Sequence, residues 1–183
     1  HQIVSTCETC QKCKPRNGPA FGKLESQPIP VEPFAFLSTD FVEMPQTVGK
    51  FGEVIDYLWV IVCRLTGYII LIPTTKKLTS QSAAALFLQS VVLVFGSPVE
   101  IVSDQDTRFT SRWWTSFAEC LGVHLKFSMA YRAQGNGAAE RANRKVLSLI
   151  RSMVADEGVP EANWISGIPW ARWVLNTTAG PSG

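Results

Sequence analysis

YLWVIVCRLTGYIILIPT, residues 57–74, consists of two apolar runs separated by a short turn. The runs YLWVIVCR (57–64) and YIILIPT (68–74) are rich in β-branched and aromatic residues, which are typical of strands. Since only LTG lies between them, the two strands are expected to pair with each other. The stretch therefore predicts a β-hairpin.

Strand and helix patterns alternate on either side of this hairpin. Upstream, FLSTDFV (36–42) predicts a strand that ends near Pro45. A helix that Thr79 or Ser80 can cap follows the hairpin and ends at Gly96. After the hairpin we predict helices at residues 78–96, 111–122, 138–158 and 161–178. Strands are predicted at 98–104 and 123–129, and a loop at 130–137. This order predicts an α/β domain, with a mixed five-stranded sheet flanked by helices.

Length and composition restrict the class of protein. The chain has 183 residues, 46% hydrophobic and 17% charged, which is typical of one folded domain and not of a disordered chain. A net charge of +2 is too small to indicate nucleic-acid binding by itself. The apolar runs are too short to span a membrane, and the five cysteines do not follow a secreted disulfide pattern. The proline-rich segment QPIPVEP (27–33) predicts a linker before the globular part.

Three acidic residues lie at positions where a sheet places functional groups. Asp40 is in the first predicted strand, Asp104 ends the fourth, and Glu140 opens a long helix after a glycine-rich loop. Ligands of α/β sheets bind where strands end, and carboxylate oxygens are the ligands that Mg²⁺ prefers. Two such ions held close together stabilise both oxygens of an in-line phosphoryl displacement. The three acids therefore predict a two-metal phosphoryl-transfer site.

Helical spacing tests the position of Glu140. One apolar stripe follows the predicted helix and is expected to face the core, at Ala142, Val146, Leu149, Ile150 and Met153. At 100° per residue, Glu140 points about 135° away from this stripe, towards a cleft. Arg144 and Arg151 share its side of the helix and are candidates for contacts with phosphates.

A structural explanation of the same acids stays open at this point. Asp104 can cap a turn, Glu140 can pair with Arg144 one helical turn later, and Asp40 can be an acid at a strand edge. For Asp106, two residues after Asp104, a turn-capping role is the preferred interpretation.

The motifs around the three acids resemble a known family. STDFVEMP (38–45), IVSDQDTRFTSRWW (101–114) and AQGNGAAERANR (133–144) are similar to the integrase catalytic core of gypsy-type LTR retrotransposons and retroviruses. Between Asp104 and Glu140 lie 35 residues, the spacing of that family's Asp, Asp-35-Glu triad. The likeness extends over about residues 3–180 and implies an RNase H-like fold. Many relatives have His-Pro in place of Arg132-Ala133 and Asp in place of Cys63.

The resemblance implies an activity and its residues. Integrases trim the 3′ ends of retroelement DNA and then join these ends to target DNA, which makes them polynucleotidyl transferases. Asp40, Asp104 and Glu140 would be the catalytic metal ligands for two Mg²⁺ or Mn²⁺ ions. The residues expected to approach DNA are Gln134, Asn136, Asn143, Arg144 and Arg151. The family further implies a homodimer or higher homo-oligomer and a nuclear location after synthesis in the cytoplasm.

The N-terminal cysteines suggest a second metal. Cys7 and Cys10 form a C-x-x-C pair, which is half of a tetrahedral Zn²⁺ site. They resemble the last two ligands of the family's N-terminal His-His-Cys-Cys module. On this reading, residues 1–20 are the second half of that module, 21–36 are the linker and 37–183 are the catalytic core. The open alternatives are a tail with free thiols, and a closed site completed by His1 and Cys13.

Two other functions remain compatible with the sequence. One is a non-catalytic DNA- or protein-binding module kept by a host genome. The other is an RNase H-like nuclease that hydrolyses DNA without joining it. The helical tryptophans Trp113, Trp114, Trp164, Trp170 and Trp173 are expected in the core or at a dimer surface.

Overall fold

A computed structural model describes residues 32–49, 51–128, 137–157 and 164–177, without the side chains of 137–138 and 151–157. Its strands and helices, in chain order, are β1 Phe36–Val48, β2 Val54–Cys63, β3 Ile69–Thr74, α1 Ser80–Phe87, β4 Glu100–Ser103, α2 Thr107–Thr110, α3 Arg112–Cys120, β5 His124–Phe127, α4 Gly137–Glu157 and α5 Trp164–Thr177. After Phe87, α1 continues as a π-helical segment, Leu88–Val92, and a last turn, Leu93–Phe95.

The strands form one mixed five-stranded sheet in the order β3-β2-β1-β4-β5. β1 is antiparallel to β2, and β2 is antiparallel to β3, so the predicted hairpin is confirmed. β4 lies parallel to β1, and β5 lies parallel to β4. Antiparallel pairs need only short turns, whereas parallel neighbours need a crossover, which here contains helices.

Helices cover both faces of the sheet. On one face, α1, α2 and α3 contribute Phe87, Phe109 and Trp114 to a cluster around Trp59. On the other face, α4 and α5 contribute Val146 and Trp164. Each such side chain contributes about 1.5–3 kcal/mol when fully buried. Because side chains alternate along a strand, Asp40 points to the α4 side, whereas its neighbours on β1 point to the α2 side.

The strand β1 is longer than the sequence predicts. It passes Pro45 and continues to Val48, and its pairing with β2 is irregular between Glu43 and Thr47. Pro45 lies within this irregularity, where a residue without an N–H group does not break the ladder. The carbonyl oxygen of Pro45 accepts a hydrogen bond of 2.7 Å from Nε1 of Trp164, which connects β1 to α5.

Two helix boundaries follow the predicted signals. The side chain of Thr79 accepts from the N–H of Ser82 and so caps α1. Gly96 ends the helical segment with φ of 90°, in the left-handed region that favours glycine. No helix within the described ranges is long and apolar enough to cross a membrane.

Candidate active site

Asp40 lies on β1, and Asp104 directly follows the neighbouring strand β4. β1 and β4 run parallel with Leu37 opposite Ile101 and Ser38 opposite Val102. Asp40 and Asp104 each come two residues after the last of these pairs, and the charge of Asp104 raises the pKa of Asp40. The two acids are therefore neighbours in space, as the sequence predicts from strand ends.

The carboxylate of Asp40 is held at both oxygens. Oδ1 accepts from the backbone N–H of Phe41 at 2.8 Å, and Oδ2 accepts from Nδ2 of Asn143 on α4 at 2.7 Å. Burial raises the pKa of Asp40 to about 6, helped by the charge of Asp104 and, to a smaller extent, that of Glu140. The hydrogen bonds from Phe41 and Asn143 act in the opposite direction. Asp40 thus lies in a partly buried site that already carries negative charge.

Asp104 lies in a turn after β4 with its own hydrogen bond. Its Oδ1 accepts from the backbone N–H of Asp106 at 3.2 Å, which gives Asp104 the turn-forming contact left open by the sequence. Burial raises the pKa of Asp104, and the charge of Asp106 adds to the rise. The hydrogen bond from Asp106 and the positive charge of Arg108 oppose it. The side chain of Asp104 therefore forms a hydrogen bond within the turn and also belongs to the candidate site.

Glu140 lies in the first turn of α4, with an exposed side chain. The predicted stripe is buried at Ala142, Val146 and Ile150, which confirms the side of the helix that faces the core. Leu149 is partly buried against the same cluster, and the side chain of Met153 lies outside the described residues. Arg144 is exposed, and no ion pair joins it to Glu140 in the described part of the chain.

The donor chemistry of these acids fits a hard divalent cation. Carboxylate oxygens are the preferred ligands of Mg²⁺, and the raised pKa values of Asp40 and Asp104 are those of charges that a cation would stabilise. Within residues 32–49, 51–128, 137–157 and 164–177, no three His, Cys, Asp or Glu side chains lie close enough together to hold one ion. Glu140 is exposed and has a smaller effect on the pKa of Asp40 than Asp104 has.

Comparison with known proteins identifies the family. The sequence profile of the integrase core domain matches residues 30–133. The chain belongs to this family. The Tf2-3 transposon polyprotein of Schizosaccharomyces pombe is 38% identical over 151 residues, which are 82% of this chain and 11% of the polyprotein. The Tf2-4 polyprotein of the same organism gives the same values. The chain thus spans only a small part of the length of these curated relatives.

Solved structures of integrases have the same fold as this integrase core. A chain of the simian T-cell lymphotropic virus intasome, in complex with PP2A regulatory subunit B56 gamma, matches with a TM-score of 0.66 at 21% identity, covering 97% of this chain and 60% of that chain. The HTLV-2 integrase catalytic core domain in complex with magnesium, in its trimeric form, matches with a TM-score of 0.63 at 22% identity, covering 84% and 93%. The predicted RNase H-like fold is confirmed.

Sequence reasoning missed one residue next to the site of this integrase core. Asp106 was predicted to cap a turn; it caps α2, a short helix that the sequence did not predict. Arg108 also binds it through Nε at 2.8 Å and Nη2 at 2.6 Å. This pair lowers the pKa of Asp106. The guanidinium carbon of Arg108 lies 3.7 Å from the ring centre of Phe41, the residue after Asp40. The signal available in the sequence was an aspartate followed two residues later by an arginine.

Cys63 stands where the family resemblance implies an aspartate. It is buried in the cluster around Trp59. Its sulfur accepts from the backbone N–H groups of Phe34 at 3.2 Å and Thr66 at 3.5 Å. The substitution therefore lies away from the acids.

Several predicted site residues of the integrase core lie outside the described residues. Asn143 is described and contacts Asp40, so its amide is part of the acidic site. The residues of the predicted active-site loop and zinc site that are not described are Gln134, Asn136, Arg132, Ala133, Cys7, Cys10, His1 and Cys13, together with the side chain of Arg151.

Proposed function

We propose that this integrase core trims the 3′ ends of retroelement DNA and joins them to target DNA, with two Mg²⁺ or Mn²⁺ ions held by Asp40, Asp104 and Glu140. The observation that carries the proposal is the closeness of Asp40, on β1, to Asp104, just after the parallel strand β4, where the charge of Asp104 helps to raise the pKa of Asp40. Such carboxylates are stabilised when a cation binds between them. The HTLV-2 core of similar fold was solved in complex with magnesium.

The protein orients its acids before any cation binds. Hydrogen bonds from Phe41 and Asn143 fix both oxygens of Asp40, and the N–H of Asp106 fixes one oxygen of Asp104. Fixed ligands lose less entropy on binding than mobile ones, which favours a defined geometry. Glu140 lies in the first turn of a helix whose buried face is anchored in the core, and its exposed side chain is free to turn towards a bound ion.

The proposed chemistry consists of two balanced substitutions at phosphorus. In trimming, a water oxygen bonds to phosphorus, the bond from phosphorus to the 3′ oxygen breaks, and the proton lost by water is balanced by one gained at that oxygen. In joining, the new 3′-hydroxyl oxygen displaces a 3′ oxygen of target DNA, so the number of phosphodiester bonds is unchanged. Bound divalent ions lower the pKa of the attacking group and neutralise charge on the leaving oxygen.

The other functional assignments also belong to this proposal. Arg144, Arg151, Gln134 and Asn136 contact DNA near the acids, and Cys7 and Cys10 contribute to a Zn²⁺ site. The integrase acts in the nucleus as a homo-oligomer. Trp170 and Trp173 support self-association, because their stacked rings are 57% and 55% exposed.

A strand-transfer assay tests the proposed activity. Labelled DNA ends are incubated with target DNA in Mg²⁺ or Mn²⁺, with this chain and with a longer polypeptide that carries flanking sequence. We expect joined products from wild type and a decrease of about 100-fold or more in Asp104→Asn, because the lost ligand removes several kcal/mol of transition-state stabilisation.

The control for this assay is Glu119→Gln, which removes an exposed acid on α3 and should leave joining unchanged. Hydrolysis without joined products would instead indicate a nuclease. Binding of DNA with neither reaction, in both polypeptides, would indicate a non-catalytic module.

A further inference from the structure

We propose that Arg108 is a positioning residue that sets the place of Asp104 relative to Asp40 by connecting the turn after β4 to β1. This inference rests on the proposed function for the use of the two acids. Arg108 touches neither acid in the described contacts and acts through Asp106 and Phe41. These three residues are called the Arg108 clamp below.

The first half of the clamp holds the turn. The guanidinium group of Arg108 donates from Nε to Oδ1 of Asp106 at 2.8 Å and from Nη2 to Oδ2 at 2.6 Å. A fork of this kind fixes the direction of the carboxylate as well as its distance. The backbone N–H of Asp106 in turn donates to Oδ1 of Asp104 at 3.2 Å. A displaced Asp106 would therefore take this hydrogen bond away from Asp104.

The second half of the clamp holds β1. The guanidinium carbon lies 3.7 Å from the ring centre of Phe41 and 5.2 Å from that of Tyr57, within the range of cation–π attraction. Phe41 follows Asp40 directly and stacks on Trp59 and Phe109 of the core. The cation thus contacts the strand of one acid and the turn of the other.

The clamp is not explained by packing alone. The side chain of Arg108 is only 12% exposed and that of Asp106 21%, and Nη1 of Arg108 is buried with no hydrogen-bond partner among the described residues. A buried cation with an unused donor is unfavourable compared with an apolar side chain of similar size. A methionine would cover Phe41 without this disadvantage. The arginine adds what methionine lacks, which is a directional contact with Asp106.

Two explanations of Arg108 predict opposite changes in Mn²⁺ affinity when the arginine is removed. If Arg108 acts only through its charge, its removal makes the site more negative and tightens Mn²⁺ binding. If it positions Asp104, its removal weakens Mn²⁺ binding, because one ligand loses its place. Loss of such a supporting contact typically weakens metal binding about 10–100-fold.

The test compares four variants of the whole chain with wild type at pH 8. Mn²⁺ affinity is measured by calorimetric titration, and backbone amide exchange is measured by NMR without metal. We expect Arg108→Met to weaken Mn²⁺ binding about 10-fold and to speed exchange of the Asp106 amide, with α3 amides unchanged. Arg108→Lys should recover part of both losses. Arg112→Met removes an exposed cation on α3 and should change neither, and Asp40→Asn should weaken Mn²⁺ binding directly.

Each result decides a separate point. Unchanged Asp106 exchange in Arg108→Met overturns the clamp. Faster exchange with equal or tighter Mn²⁺ binding, in a protein whose Mn²⁺ binding depends on Asp40, overturns the positioning role. If Asp40→Asn leaves Mn²⁺ binding intact, the proposed metal site fails, while the exchange result still decides whether Arg108 holds the turn.

Discussion

The pKa of Asp40 reflects the opposing influences of burial and nearby charge on one side and hydrogen bonds on the other. Its pKa of about 6, against an ordinary 3.8, means that the folded protein binds this proton more tightly than the unfolded chain. The charged form is therefore unfavourable in the folded state. The resulting decrease in the free energy of unfolding is absent below pH 3.8, grows between pH 3.8 and about 6, and is constant at higher pH. Part of the wild-type stability is consequently lost as pH rises through this window.

Asp40→Asn should stabilise the metal-free protein at pH 8 by about 1–3 kcal/mol, after allowance for partial exposure. An asparagine keeps an acceptor for the N–H of Phe41, and a flip of the Asn143 amide turns its oxygen, which has no partner among the described residues, towards the new Nδ2 donor. Urea unfolding in a chelator at pH 8 and pH 3.5 measures the difference, which should vanish at the lower pH. A destabilised variant at pH 8, with Glu119→Gln unchanged, contradicts the account.

At the residue scale, the closeness of Asp40 and Asp104 was predictable, the role of Glu140 beside them stays a prediction, and the Arg108 clamp was not predictable. Asp40, Asp104 and Glu140 were identified from strand ends and from a spacing that matches a family motif. The contact of Arg108 with Phe41 joins residues far apart in sequence. It depends on how α2 directs its side chains, and α2 has no periodic pattern because it is only four residues long.

At the element scale, the side chain of Asn176 on α5 forms hydrogen bonds with the edge strand β3. Asn176 accepts from the backbone N–H of Ile69 at 2.7 Å and donates to the carbonyl oxygen of Ile69 at 2.8 Å. β3 is an edge strand, so these backbone groups have no further strand to pair with. The side-chain amide of Asn176 thus forms the two hydrogen bonds with Ile69 that a neighbouring strand would otherwise form.

Asn176→Ala should lower the free energy of unfolding by about 1–3 kcal/mol, because it leaves two partly buried backbone groups unpaired. Thr177→Ala is the matched control, since the Thr177 hydroxyl is exposed and bonds within its own helix. Urea denaturation measures both. Equal stability of the two variants would mean that water replaces the Asn176 amide without loss.

Element types were more predictable than element ends. Alternation and apolar runs identified all strands and long helices of the described ranges, because these patterns follow from burial. The extension of β1 past Pro45 was missed, since a proline predicts an end unless the partner strand allows an irregular pair. The π-helical segment in α1 has no sequence signal, and the pairing of Asn176 depends on where α5 lies.

At the scale of the whole molecule, the tryptophans are divided between the core and the surface. Trp114 and Trp164 are buried, which confirms the expectation of core positions; Trp59 on β2 is buried too, whereas Trp113 is exposed. Trp170 and Trp173 stack with ring centres 4.7 Å apart on the outside of α5. Exposed aromatic pairs of this kind favour burial against another surface.

Trp170→Glu combined with Trp173→Glu should shift the chain towards monomer, because two charges would then face the proposed interface. Sedimentation across a range of protein concentrations measures the change. The control is Trp113→Glu, which alters an exposed tryptophan on α3. Wild type that is monomeric at all concentrations, or a double variant that associates as strongly as wild type, contradicts the proposed surface.

The central claim concerns where divalent ions bind in the whole integrase core. A crystal structure of the chain grown with Mn²⁺, with anomalous diffraction data, locates the ions directly. The account predicts anomalous density between the carboxylates of Asp40 and Asp104, with Glu140 turned towards it. Saturating Mn²⁺ without density at these carboxylates, or with density only at other acids, would contradict it.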